Sequence, residues 1–404
     1  MTALDVESLI ADRATRIIVC CGSGGVGKTT LAAALGVRAA EQGRRVVTLT
    51  IDPARRLAQS LGLKELDNVP RKVEGMKHKK GADGAKSEGE LHAMMLDMKR
   101  TFDEIVEAHA SPAKTAQILA NPFYQSLSSS FAGTQEYMAM EKLGQLRASG
   151  QWDLIVVDTP PARSALDFLD APARLGRFLD GRFIRMLLVP AKVGGRGYTK
   201  VVQVGLGLVS GTMTKLLGTQ LLTDVQTFVA AMDTMFGGLR QRADATAKLL
   251  RAPGTVFVVV ASPEPDALRE ASYFVDRLVE EDMPLAGVVV NRVHRSTVPQ
   301  ITAVNALAAA EALDGDGNAD DDPDAALTAG VLRVHAQRLT VQAAEQRRVD
   351  GFALAHPNVR LASARALAQD VHDLSGLRKL GEALCQSTST VNPSNPGSGQ
   401  PTAE

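Results

Sequence analysis

Residues 16–31, RIIVCCGSGGVGKTTL, constrain this chain more than any other stretch. Gly22 to Thr29 fit G-x-x-x-x-G-K-[ST], a phosphate-binding loop. The glycines Gly22, Gly24, Gly25 and Gly27 let the backbone curl, so that its N–H groups, those of Ser23 and Val26 included, converge on phosphate oxygens. Lys28 supplies a point charge to the β- and γ-phosphates, and the Thr29 hydroxyl is a ligand for Mg²⁺. A helix expected from about residue 29 to 41, opening on Thr29 and Thr30, turns its positive end to the same phosphates. An apolar run at 17–19 enters the glycines and the alanine-rich 31–40 leaves them, an order that an incidental glycine turn would not require. The implied ligand is a nucleoside triphosphate.

A strand–loop–helix of this kind implies an α/β fold, a P-loop NTPase whose mostly parallel central sheet is flanked by helices. Further strands are expected at 45–51, 91–98, 152–158, 255–261, 286–290 and 358–363. The second ends at Asp52-Pro53. A carboxylate at that strand tip lies where a metal-bound or attacking water sits, while a turn-capping Asp is an equally good reading from the residues alone. In WDLIVVDTPP (152–161), four apolar residues close on Asp158, the Walker B pattern of a carboxylate that holds Mg²⁺. The run at 286–290 leads to Asn291, whose amide can read a purine edge. A guanine-reading N-K-x-D would need Lys at 292 and Asp at 294; Arg292 and His294 stand there, so adenine is favoured.

Between these elements the chain divides into residues 1–161 and 251–385 as two parts of one nucleotide-binding core, a helical insertion at 162–250, and a disordered tail at 386–404 rich in Ser, Pro and Asn. Residues 68–90, with a basic cluster at 77–80, read as a solvated insertion, and 131–146 as an amphipathic helix. Within the helical insertion Leu222, Val225, Val229, Met232, Phe236 and Leu239 form an apolar stripe. Core packing is its favoured reading; with Met186, Met213 and Met235 it could instead line a groove for apolar cargo. DGDGNADDDPD (314–324) lacks the Gly and Glu of a calcium loop, having Ala319 and Ala325 there, and reads as an acidic linker before helices at 331–349 and 377–384.

Lys+Arg and Asp+Glu both count 45, so no net field draws the chain to nucleic acid, and no nucleic-acid partner is expected. The longest uncharged apolar segment is 14 residues, too short to span a bilayer. Residues 1–12 lack a signal-peptide pattern, so a cytoplasmic address is expected, with a peripheral place at a membrane as its extension. Cys20 and Cys21 should point to opposite faces of the first strand as buried thiols, and with Cys385 they lack metal-ligand spacing.

The chain resembles the arsenite-pump ATPase family, which includes the ATPases that target tail-anchored membrane proteins. GSGGVGKTT (22–30), TIDPARRL (50–57), VVDTPPARSALDFL (156–169), VVVNRV (288–293) and DLSGLRKLGEAL (373–384) carry the resemblance. It implies Mg²⁺-dependent hydrolysis of ATP, with Asp52 of switch I positioning the attacking water beside Lys28. Switch II then comprises Asp158, Thr159 and Pro161, and Asn291 reads adenine. It further implies a dimer that clamps ATP, with the insertion as a platform for membrane-protein cargo or coupled to a membrane transporter. The family's first P-loop lysine, which reaches into the partner's site, is Ser23 here; its GHT in switch II is replaced by residues 163–165, and neither its metalloid cysteines nor its zinc C-x-x-C has a counterpart. Ser23 favours a heterodimer with a related ATPase chain that keeps the lysine over a homodimer or a replacement by Arg55, Arg56 or Arg163. The rival readings are a nucleotide-gated subunit with little hydrolysis and a ParA-like partitioning ATPase.

Overall fold

The computed structural model describes residues 2–52, 56–77, 89–160 except 123, 126, 127 and 129–133, then 238, 241, 242, 244–315 and 323–386. Eight strands are found among them: β1 (Ile17–Gly22), β2 (Arg45–Thr50), β3 (Arg71–Lys72), β4 (Glu90–Met95), β5 (Leu154–Asp158), β6 (Thr255–Ala261), β7 (Leu285–Val293) and β8 (Leu361–Arg365). They form one sheet in the order β3-β4-β2-β5-β1-β6-β7-β8, with every neighbouring pair parallel except β3 and β4. The mostly parallel α/β fold read from the sequence is the observed one.

The central strands are apolar end to end because both faces are covered. On one face lie α1 (Val6–Ala11), α2 (Lys28–Glu41) and α10 (Leu374–Gln386), packed on Ile18, Cys20, Val46 and Val156. The other carries α4 (Met98–His109), α6 (Thr134–Ala148), α7 (Pro265–Glu280) and the C-terminal end of α9 (Pro323–Ala355), packed on Ile17, Val19, Cys21 and Val157. Cys20 and Cys21 therefore do face opposite ways, both buried and unbridged. The remaining helices are α3 (Arg56–Ser60), α5 (Pro112–Leu119) and α8 (Ala303–Gly315), the last packed on α9.

Arg44 fastens the lower edge of this sheet. It is 1% exposed, and its guanidinium donates to the carbonyls of Ile10, Asp12, Thr15 and Asp153. One planar fork thus ties the last turn of α1 and the segment after it to the starts of β1 and β5. Burial, with Arg13 nearby, lowers its pKa to about 10.

Several expectations change. Residues 68–77 are mostly exposed, as read, but they are anchored to the core: Asn68 is buried, Arg71–Lys72 pairs with β4, and Val73 joins the apolar cluster. The helix at 134–148 is not amphipathic over 137–143, where every residue is buried: α4 packs on it and Arg242 reaches Glu141. Asn291 lies inside β7 rather than beyond its tip, since β8 pairs with that strand as far as Val293. Helices α1, α3, α5 and α8 had no counterpart in the sequence reading, and α9 runs 33 residues, well past 331–349. The apolar stripe at 222–239, the methionines of the insertion, residues 78–80 and the tail from 387 lie outside the described residues. Among those described, no helix is long and apolar enough to cross a membrane.

Candidate functional site

The loop between β1 and α2 sits at the C-terminal edge of the sheet, between β5 and β6. Gly22 has φ 146°, and a Cβ there would lie 2.1 Å from the Val260 carbonyl oxygen, so only glycine lets β1 turn against β6. Gly27 caps α2 with φ 95°, and a Cβ would lie 2.4 Å from Asn291 Nδ2. No side chain caps α2, so its first N–H groups stay available to an anion.

Lys28 opens that helix and is 7% exposed. Its Nζ donates to the Ser23 carbonyl at 2.8 Å, curling over the loop. Burial lowers its pKa, and the carboxylates of Asp158 and Asp52 oppose that. A desolvated ammonium resting on a neutral carbonyl gains from a stronger, anionic acceptor. Ser23 Oγ is buried with no hydrogen-bond partner among the described residues.

Parallel register brings the carboxylates to the same place. Asp158 lies beside Cys20 of β1 and Thr50 of β2. It is fully buried; Oδ2 accepts from Thr50 Oγ1 at 2.9 Å, and Oδ1 has no partner among the described residues. Burial raises its pKa to about 6, while hydrogen bonds from Thr29 and Thr50 and the Lys28 charge pull the other way. Thr50 Oγ1 also accepts from the Asp52 backbone N–H at 3.2 Å, so one hydroxyl links the first residue after β2 to the end of β5. Sequence reasoning missed Thr50; the signal was a hydroxyl in register with the strand-end carboxylate. Thr159 donates from its N–H and its hydroxyl to the Cys20 carbonyl, fixing the chain beyond β5.

Asn291 reaches the loop from β7. It is 6% exposed, and its Nδ2 donates to the Val26 carbonyl at 2.8 Å. Arg292 beside it has φ 60°, and the β7–β8 register shifts there.

Lys28, Thr29, Asp52, Asp158 and Asn291 thus gather around one loop. Pro161, Arg55, Arg163 and residues 164–165 lie outside the described residues; Arg56 is exposed at the start of α3. A divalent cation fits this donor set. The Oδ1 of Asp158 is a buried carboxylate oxygen with no hydrogen-bond partner among the described residues, and the Thr29 hydroxyl bonds to the same carboxylate.

The sequence profile of the family described as anion-transporting ATPase matches residues 15–312. The chain is 28% identical over 174 residues to the ATPase GET3 of Malassezia globosa, covering 43% of this chain and 47% of that protein. To the ATPase get3 of Schizosaccharomyces japonicus it is 24% identical over 288 residues, 71% of this chain and 77% of the relative. A putative arsenical pump-driving ATPase of Prosthecochloris vibrioformis is 28% identical over 164 residues, 40% of this chain and 36% of the relative. The chain thus spans about half the length of the first of these relatives. The matched region contains the loop, both strand-end carboxylates and Asn291, and the chain belongs to the anion-transporting ATPase family, whose members are nucleotide-binding ATPases.

Proposed function

We propose that this chain hydrolyses ATP to ADP and phosphate with Mg²⁺ and works as a nucleotide-switched dimer coupled to membrane-protein targeting or anion transport. The observation that carries the reading is the unpartnered, buried Asp158 Oδ1 beside a Lys28 ammonium that rests on a neutral carbonyl. Both groups lack the partner that Mg²⁺·ATP supplies.

Thr29 and Asp158 would hold the cation, which when bound neutralises phosphate charge. The amides of residues 22–30 and Lys28 bind and orient the phosphates, supplying fixed positive potential where negative charge is transferred. Asp52, held toward Asp158 through Thr50, orients the attacking water and accepts its proton. Asn291 steadies the loop through Val26 and reads the adenine edge with its remaining amide groups. Catalysis of this kind is mainly positioning and charge stabilisation. Steady-state phosphate release tests the reading: activity that needs Mg²⁺ and falls in Asp52→Asn with ATP binding retained supports it, and equal turnover in that variant refutes it.

A second reading has its own observation. Ser23 places a short neutral hydroxyl, buried and unpartnered, where the resembling ATPases carry a lysine into the opposite subunit. We infer a hetero-oligomer with a related ATPase chain, in which this subunit alone binds ATP but turns it over slowly.

A further inference from the structure

A second crevice opens at the same edge of the sheet, at the ends of β7 and β8. It has a volume of about 400 Å³ and is lined by His294, Arg295, His335, Arg338, Gln342 and Arg365 among others. It lies on the sheet face opposite the P-loop helix. Ala362 and Ala364 pack into the α2-side core, so the alternating Ser363 and Arg365 point the other way. Glu345 of α9 binds His294 there, and Val349 and Phe352 of the same helix belong to the opposite core.

Its charge is one-sided. Among the described residues no carboxylate pairs with Arg295, Arg338 or Arg365; on α7 and α9 Arg269, Arg277 and Arg333 are matched, by Asp266, Glu281 and Asp314, and Arg347 and Arg348 are not. The nearest acid, Glu345, is turned to His294 and to none of the three arginines: Oε1 meets His294 Nδ1 at 2.7 Å and Oε2 accepts the His294 N–H at 2.9 Å. The walls are held in place. The Ser296 N–H donates to Gln342 Oε1 at 2.8 Å, His335 Nε2 meets the Ile301 carbonyl, and Arg295 donates to Ser363 Oγ.

We propose that this crevice binds a small phosphorylated metabolite, a phosphomonoester dianion, at a site separate from the nucleotide. Arginine forks match phosphate oxygens in pairs, and a phosphomonoester carries about −1.5 to −2 charge at neutral pH, which answers two or three unmatched guanidinium groups. A volume of about 400 Å³ is at the small end of ligand sites and suits a sugar phosphate better than a peptide or a dinucleotide. The position adds a route of communication. His294, which the ligand would touch, directly follows β7 and is three residues beyond Asn291, whose amide holds the P-loop at Val26.

The test uses inorganic phosphate as probe and the full chain carrying Lys28→Ala, so that the P-loop charge does not contribute. Calorimetry should find one phosphate site, with an affinity about tenfold weaker once Arg338→Gln and Arg365→Gln are added, the equivalent of losing charge-assisted bonds. Both arginines are exposed, so the fold should persist, which an unchanged thermal midpoint checks. In the otherwise native chain the same two substitutions should leave ATP affinity within about twofold. Absent phosphate binding, or binding indifferent to the arginines, overturns the site. Loss of ATP binding in the arginine variant assigns the crevice to the nucleotide and overturns its independence, while leaving the proposed ATPase reading intact.

Discussion

Asn291 Nδ2 and the Val26 carbonyl oxygen stand 2.8 Å apart, joining β7 to the middle of the phosphate-binding loop across 265 positions of sequence. The contact explains why position 27 must be glycine, since a Cβ there would strike that amide nitrogen. It also makes Asn291 a support of the loop as well as the proposed reader of the base. Asn291→Ala is expected to weaken ATP by about tenfold through a loop carbonyl left unpaired, and to narrow the preference for ATP over GTP. A competition titration decides: equal ATP and GTP affinities in the native chain would remove the base-reading role.

Lys28→Ala should leave the fold intact, because the variant removes a desolvated charge that leans on a neutral carbonyl. Nucleotide affinity should drop by about a hundredfold or more, as charge-assisted bonds to phosphate vanish. A folded variant that keeps micromolar ATP binding refutes the assignment.

Asp158 supplies the pH dependence. Its folded pKa, about 6, stands above the ordinary carboxylate value of 3.8, so the folded state holds this proton more tightly than the unfolded chain. Stability from this group is therefore present at low pH and is lost as pH rises from 3.8 through about 6. Cation binding has the opposite sign, because it needs the anion. Mg²⁺·ATP affinity should fall about tenfold for each pH unit below about 6 and level off above it. In Asp158→Asn it should be weak and free of this inflection, which calorimetry across that range reads directly.

Arg44 predicts a large stability effect far from any ligand. Arg44→Ala would strand four backbone carbonyls at the base of β1 and β5, at a cost of roughly 3–5 kcal/mol. Lysine should restore only part, since one ammonium cannot span carbonyls from four residues. Urea midpoints of the two variants give the comparison, and an alanine variant as stable as the native chain would show the network to be dispensable.

Ser23→Lys tests the hetero-oligomer reading. A charge supplied in trans to the transferring phosphate can contribute roughly 10³–10⁵ in rate, which a serine hydroxyl does not match. The isolated native chain should hydrolyse slowly, and the lysine variant faster. Fast native turnover, indifferent to Ser23→Lys and lost in Arg163→Ala, would transfer the role to a local arginine.

The parts legible in the sequence were those where one local pattern has one physical use. Glycines before Lys28 and an apolar run closing on Asp158 mark two strands of a parallel sheet, because a phosphate site needs parallel strand ends close together; the order of the eight strands was not legible. Thr50 was illegible because its meaning lies in register: only the pairing of β2 with β5 puts its hydroxyl against Asp158. The arginines of the second crevice stand just beyond β7, on α9 and at the end of β8, up to 70 positions apart (295 to 365), and local periodicity carries no trace of their convergence. The helix at 134–148 misled for a related reason: residues distant in sequence cover polar positions that would otherwise turn to water, Glu104 of α4 at Lys142 and Arg242 at Glu141.

The paired thiols of β1 have a practical consequence. Cys20 and Cys21 sit back to back in the middle strand, one in each core, and burial pushes both well above the ordinary thiol range, Cys21 to about 12. Neither can meet an alkylating reagent unless β1 leaves the sheet, whereas Cys385, only half-buried on α10, needs no more than a loosening of that last helix. The chain therefore carries its own clock of opening events: the order and spacing in time of three alkylations distinguish fraying of the final helix from dissolution of the nucleotide-binding sheet.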